Sequence, residues 1–555
     1  MERDICFIEN SNDINLISKL HLSNILFVPL NLETFLYCKE NNYEIFDFKK
    51  NISLEFHNNS LNVSKDFIDN LNFNLKINYS LKSEIKFFLR FRLNSVLLIQ
   101  EIVEKIQNEN HINSIIVSGL KKNFHRNIDD GNIVTEIVEY LFKDKIYIKK
   151  LNSSSPKDTL PSLEGFTPIY KTIFSEQNVL INSVGYNFKK IVNFFKNNNI
   201  KVWIPFFENL NFFKKCLYIY RGYQPIEFKK DGNKKNIKNY IQKILFKHKN
   251  IDISELLNNF YFKLNFYFNE VDQKSIALKK IVNENKFSLT ISNIVKGVNG
   301  SILDNDIKCN SICISHGIIA QSFNNFDDKY KKIIAEAVFN GESKFFAIQS
   351  RTMLDSLKTH NINGEAIQTG NIVFSSVKRN ILSDYILQAS TLKDFSNLQF
   401  LGVEMFYEYW NMLSVLDEIA KKNFLNITIK PHPTIKNCTS KLKKNFKSLK
   451  FSNKSIDLLL SKSSSLISYS SSTIEDALNS KVPVILFDTK KGYKHISSEK
   501  PQIDNSAVYY INKQEELELL LKKISNMQEI NFENYIFKQD FEKNFKEKIL
   551  PILNS

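Results

Sequence analysis

Ser468-Tyr469-Ser470-Ser471-Ser472-Thr473-Ile474-Glu475-Asp476-Ala477-Leu478, followed at once by Val482-Pro483-Val484-Ile485-Leu486-Phe487, decides how the fold is read. An apolar run ends in a hydroxyl cluster. A helix pattern starts there, and a second apolar run follows it. Strand, loop, helix and strand in so short a span make one step of a parallel sheet buried on both faces. The start of such a helix offers free N–H groups and the positive end of a dipole, which suit an anion. Ser470, Ser471, Ser472 and Thr473 add hydroxyl donors. Ser472-x-x-Glu475 also reads as a capping box, which needs no ligand.

Working outward, the same alternation recurs. Strands are expected at Ile25–Pro29, Ser114–Ser118, Val179–Ser183, Val202–Pro205, Ser311–Ser315, Phe345–Gln349, Gln399–Val403, Asn426–Lys430, Ser465–Ser468, Val482–Phe487 and Ala507–Ile511. Helical patterns lie between them, such as Phe406–Asn423 and Gln514–Ile524. Strand–helix alternation over this length means an α/β fold with right-handed crossovers. Two Rossmann-like domains facing each other across a cleft are expected, 1–335 and 336–555. An irregular Lys-rich helical insertion is expected at about 225–300 within the first. Phe537–Leu553 has the pattern of an amphipathic helix that packs back on the first domain.

The chain has 555 residues and a formal net charge of +16. A hydrophobic content of 43% excludes a disordered chain. The basicity resembles a nucleic-acid signal, but only seven of the 75 basic residues are Arg, the type suited to bidentate phosphate and base contacts. No nucleic-acid partner is expected; a non-enzymatic protein that binds nucleic acid or membrane through its basic surface is the further alternative. Lys229, Lys230, Lys234, Lys235, Lys238, Lys243, Lys247 and Lys249 form one cluster, and seven lysines between 435 and 456 form another. Both read as solvated faces or as contacts for an anionic membrane surface. The six Cys are scattered, which fits a reducing compartment, and Cys309 and Cys313 read as buried thiols. No signal peptide or long apolar span is visible, so a cytoplasmic chain is expected, with the inner face of the plasma membrane as a possible contact.

Lys430-Pro431-His432-Pro433 follows the Asn426–Lys430 strand directly. The two prolines hold the backbone extended and present the imidazole at a strand's carboxyl end, where ligands of such sheets bind. A loop histidine with no task is the plainer reading. This turn, with the Ser-Ser-Ser-Thr-x-Glu-x-Ala-Leu helix start and the Pro-Val-Ile strand, resembles the HP and S motifs of bacterial surface-polysaccharide transferases. These include polysialyltransferases, Kdo transferases and CDP-glycerol glycerophosphotransferases. The resemblance implies a GT-B fold. It implies that Lys430, His432, Ser470, Ser471, Ser472 and Thr473 hold the donor phosphate, with Glu475 on the ribose. It also implies a CMP-sugar donor carrying sialic acid, Kdo or a related nonulosonate, a glycan or lipid-linked glycan acceptor, and no cofactor or metal. CDP-glycerol is the alternative donor.

Two more segments fit the same resemblance. Cys313-Ile314-Ser315-His316-Gly317 ends a strand in His-Gly, which implies acceptor activation by His316. Thr369-Gly370-Asn371 matches a turn in which Gly370 lets backbone approach the cleft. Asp129-Asp130-Gly131 resembles the acidic motif that supplies the general base; the plainer reading of the same residues is a turn and an acidic first helical turn. Asp304-Asn305-Asp306 has the spacing of a metal–nucleotide motif from another transferase fold, but without that fold it reads as a polar turn.

Overall fold

The computed structural model describes all residues except 1, 10–12, 14–15, 18–23, 120–132, 152–161, 170–176, 183–187, 316, 318, 340, 361, 380–384, 393–404, 489–491, 500–501, 525–528, 538–540 and 555. Three sheets dominate. The first holds Glu2–Ile8, Ile25–Pro29, His111–Val117 and Tyr147–Lys150, all parallel, in spatial order 2-1-3-4. The second has eight strands. Its antiparallel edge strand, Glu164–Pro168, pairs with Tyr223–Lys234. The others are Asn178–Ile181, Lys201–Phe206, Tyr223–Lys234, Leu289–Ser292, Asn310–Cys313, Phe345–Ile348 and Glu365–Gln368, all parallel, in order 3-2-1-4-5-6-7. The third sheet comprises Tyr385–Gln388, Ile427–Ile429, Lys450–Phe451, Ser463–Ser468, Val484–Phe487 and Val508–Ile511, in order 3-2-1-4-5-6. The last two orders are those of doubly wound nucleotide-binding sheets.

The paired Rossmann-like architecture of a GT-B fold is therefore present, with a further α/β unit ahead of it. This moves the expected domain boundary. Phe345–Ile348 and Glu365–Gln368 continue the second sheet, so a division at 335/336 would cut through it. Residues 1–150 form a sheet of their own. The expected Lys-rich insertion is not a separate lobe either. Tyr223–Lys234 is an in-sheet strand that buries Ile226 and Phe228 and exposes Lys229, Lys230 and Lys234. Its lysines lie on the exposed end of a strand one in from the sheet edge, and the 31-residue helix Ser254–Glu284 that follows is packed into the core.

Two long helices tie the units together. Tyr79–Glu109, also 31 residues, places Phe87 and Phe91 against the second sheet and Leu93 to Ile106 against the first. Arg90 is fully buried on it, its Nη1 3.0 Å from Glu336 Oε2. Asp304 is no solvated turn. Its carboxylate accepts from Ser80 Oγ at 2.7 Å and lies 2.9 Å from Lys279 Nζ, joining both helices, and burial pushes it up to about 6.

The first unit docks on the third sheet's crossover helix Phe406–Asn423 through aromatic rings. Phe35 lies 5.3 Å from Phe406 and 5.2 Å from Trp410, and Phe48 stacks on Tyr407 at 5.2 Å. Lys441 adds an ion pair with Glu40 at 3.0 Å, so part of the second Lys cluster faces protein. The last helix, Phe541–Asn554, returns to the second sheet as expected. Phe545, Ile549 and Leu553 join its core, and Phe545 meets Phe194 at 4.9 Å. Among the described residues no helix is long and apolar enough to cross a membrane.

Candidate functional site

The third sheet changes direction between Tyr385–Gln388 and Ser463–Ser468, whose connections leave on opposite sides. Such a switch point opens a crevice at the carboxyl ends of the strands. Two loops meet there. Thr391 N–H donates to Ser470 O at 2.8 Å, and Tyr469 N–H donates to Ser390 Oγ at 3.2 Å. Gln388 Nε2 donates to the same hydroxyl at 2.9 Å. A crevice beside them is lined by Ser390, Thr391, Tyr409, Met412, Tyr469 and Asp488, with Lys49 of the first unit at its rim. Phe48, clamped on Tyr407, is what carries Lys49 there.

The hydroxyl cluster behaves differently from a capping box. Ser472 has helical φ −61° and ψ −13° and makes no side-chain cap, whereas Ser471 Oγ accepts the Thr473 N–H at 3.3 Å. The helix Thr473–Asn479 spans only seven residues. Glu475 does not reach back to its helix start. It is buried, with Oε1 2.9 Å from His495 Nε2, and His495 Nδ1 lies 3.0 Å from the Tyr493 hydroxyl. Asp488, at the end of the next strand, accepts from Tyr493 N–H and from the Tyr510 hydroxyl, each at 3.1 Å. Buried polar atoms normally have partners. Gln388 Oε1, Tyr409 Oη, Ser468 Oγ, Thr473 Oγ1 and Glu475 Oε2 have none among the described residues, and all five sit at this switch point or on the elements bordering it.

His432 follows the strand Ile427–Ile429, on the side of Tyr385–Gln388 away from the serine loop. Lys430 N–H donates to Gln388 O at 2.8 Å and so continues the ladder. Pro431 ends it. The His432 ring is half-buried, with Nδ1 2.8 Å from Thr434 Oγ1 and accepting the Thr434 N–H at 3.4 Å. Assigned from these bonds, the proton of the neutral ring sits on Nε2, the nitrogen suited to donation. One strand separates this turn from the Tyr469–Ser470 loop, so the two strand ends stand roughly 10 Å apart, two inter-strand spacings. The Lys430 ammonium turns to Lys454 O at 3.0 Å, and burial lowers its pKa.

Gly370 has φ +71°, which its turn requires. That turn belongs to the connection between the second and third sheets. Gln349 Oε1 accepts from the N–H groups of Ile372 and Val373, each at 3.1 Å. Beyond it, Ser375 N–H donates to Asp476 Oδ1 at 2.6 Å and Ser375 Oγ to Asp457 Oδ1 at 2.5 Å. The described contacts thus join the Gly370 segment to Asp457, Asp476 and Ser480 rather than to the crevice. Asp129, Asp130 and His316 lie outside the described residues. Gln388, Ser390, Tyr409, Asp488 and His495 were not picked out from sequence. Asp488 carried a signal, its place directly after an apolar strand; the others carried none.

Burial pushes the Asp476 carboxyl up to about 7, opposed by the Ser375 N–H. The folded chain therefore holds this proton more tightly than the unfolded chain. Its stabilising contribution is complete below the ordinary carboxylate range and is lost as pH rises toward about 7. Unfolding curves from pH 4 to pH 8 should show a loss of up to ~1.4 kcal/mol per pH unit from this group. Asp476→Asn should remove that component and be more stable than wild type at pH 8. Equal slopes in the two proteins would refute the assignment.

No family model and no curated protein matches the sequence. Solved structures do resemble the fold. UDP-GlcNAc 2-epimerase from Methanocaldococcus jannaschii is 12% identical, covering 68% of this chain and 99% of its own, with a TM-score of 0.40. TarM is 13% identical over 69% of this chain and 99% of its own, TM-score 0.41. The wall teichoic acid polymerase TagF is 13% identical over 68% and 88%, TM-score 0.36. The strand orders define this chain as a GT-B-type protein with an added N-terminal α/β unit.

Proposed function

We propose that the chain is an inverting, metal-independent glycosyltransferase of bacterial surface-polysaccharide synthesis. It would transfer sialic acid, Kdo or a related nonulosonate from a CMP-sugar to an acceptor hydroxyl. The observation that carries this reading is the gathering of unpartnered buried polar atoms and a serine-rich loop at one switch-point crevice, with His432 at the carboxyl end of a strand of the same sheet, one strand away from that loop. In this reading His432, Ser470, Ser471, Ser472 and Thr473 hold the donor phosphate, and Glu475, steadied by His495, presents Oε2 to the ribose diol. The acceptor oxygen gives its proton to a base and attacks the anomeric carbon. The bond from that carbon to the phosphate oxygen breaks. CMP leaves with its charge met by the imidazole and hydroxyls. Asp129 or Asp130 is proposed as the base, with His316 assisting the acceptor.

Thermal unfolding with CMP, CDP, UDP and GDP tests the donor class. At a hundred times its Kd, a ligand of the folded state adds about 2.7 kcal/mol. CMP is expected to raise the melting temperature and UDP and GDP to leave it unchanged. A shift with CDP alone would favour CDP-glycerol as donor. No shift with any cytidine nucleotide would sink the reading.

A further inference from the structure

We propose that the helix Phe212–Tyr220 is a docking surface for an anionic phospholipid bilayer. It connects two parallel strands of the second sheet, Lys201–Phe206 and Tyr223–Lys234, where a helix ordinarily buries one face. None of its nine residues is buried. Two side chains hold it: the Tyr218 ring lies 4.7 Å from Phe206, and Lys215 Nζ lies 2.7 Å from Glu227. The helix is nonetheless well started, since Asn211 accepts the Lys214 N–H at 2.8 Å. What faces outward is apolar. Phe213 is 82% exposed and Tyr220 85%, with Phe212, Leu217 and Ile219 exposed beside them. Scattered exposed apolar residues are ordinary, but a contiguous patch of this kind marks a contact surface.

Its rim says what the contact is. The helix packs beside Tyr223–Lys234, where the exposed Lys229 shares the face of Tyr223 and Glu227, while Lys230 follows Ile226 and Phe228 to the opposite face. Glu227 joins the two elements: it pairs with Lys215 and accepts the Leu210 N–H at 3.1 Å, fixing the loop that presents Phe212. Lys214 and Arg221 add positive charge on the helix side. Glu208, Asp231 and Glu164, which lies opposite Lys234 on the edge strand, are nearby acids besides Glu227. Exposed aromatic rings with Lys214, Arg221 and Lys229 beside them match the boundary of an anionic bilayer, where rings enter the headgroup region and ammonium groups meet phosphates. A second copy of the chain fits less well, because a two-fold contact would set the two cationic rims against each other. Nine residues span about 13 Å, enough to lie in the interface and too few to cross it.

The test uses the full chain and vesicles of phosphatidylcholine with or without about a third phosphatidylglycerol. Co-sedimentation should be strong with the anionic vesicles and weak without them. The Phe212→Ser, Phe213→Ser double variant should bind at least tenfold more weakly. Lys214→Gln with Lys229→Gln should bind several-fold more weakly, with a shallower salt dependence. Neither pair should move the melting temperature, since none of the four side chains is in the core. Cys216 gives a second readout, being exposed in the middle of the helix; anionic vesicles should slow its reaction with a charged maleimide. Wild type that ignores anionic vesicles, ring variants that bind like wild type, or an unprotected Cys216 would each overturn the proposal. So would a dimer that the ring variants dissolve, which would assign the face to a second copy. The proposal does not depend on the donor, and the CMP melting shift followed in the same variants separates the two failures.

Discussion

His432→Ala is expected to lower kcat/KM with a CMP-sugar by about 10²–10³-fold, the usual cost of removing one preorganised donor from a developing negative charge. The expectation follows from how the ring is held. Pro431 and Pro433 fix the backbone on either side, and Thr434 occupies Nδ1. The ring's bonds on that side are local, so its loss should leave the unfolding transition where it is. Thr434→Ala, which removes the Oγ1 contact but keeps the backbone N–H on Nδ1 and the imidazole, should cost less than His432→Ala. Steady-state kinetics beside a melting curve checks both. An alanine variant with unchanged kcat/KM would remove His432 from the site, and one that melts early would make it structural.

Phe406→Ala is expected to cost about 3–5 kcal/mol, the range for truncating a buried aromatic. Its ring is fully buried, 5.3 Å from Phe35 and 5.5 Å from Phe48. The loss would fall on the joint between the first unit and the third sheet. Denaturation should therefore split, with an early transition for residues of the first unit, because multidomain chains need not unfold in one step. Since Phe48 also places Lys49 at the crevice rim, the same variant should weaken CMP binding. A single transition displaced by less than about 1 kcal/mol would contradict this view of the joint.

Much of the third sheet was legible because its strands are continuous apolar runs punctuated by function-bearing loops. Ser465–Ser468, Val482–Phe487 and Asn426–Lys430 lie where their composition places them. The central strand Tyr385–Gln388 escaped notice. It has only four residues, and burial on both faces leaves no alternation to detect. Gln399–Val403, expected as a strand, lies outside the described residues. Counting sheets was harder still. Parallel strands look alike whichever sheet they join, and membership depends on pairings far apart in sequence. Hence Phe345–Ile348 was assigned to the wrong side of a boundary, and Glu2–Ile8, which opens with three polar residues, was not read as a strand. Arg90 misleads in the same way, since a charge inside a helix pattern normally points outward.

The site divides along the same line. His432 and Ser470 to Thr473 stood out because each directly follows a strand. Ser472-x-x-Glu475 has the spacing of a local cap, but burial turned Glu475 toward His495, twenty residues on and after the next strand. Spacing along a chain cannot reveal a partner supplied by a neighbouring strand's loop.

The returning C-terminal helix has a mechanical consequence. The chain passes from the second sheet to the third at 370–377 and passes back between Ile524 and Phe541. A body fastened to another at two points swings like a door about the line through its hinges and resists twisting across it. The first unit, docked on Phe406 and Tyr407, adds a third restraint that opposes that swing.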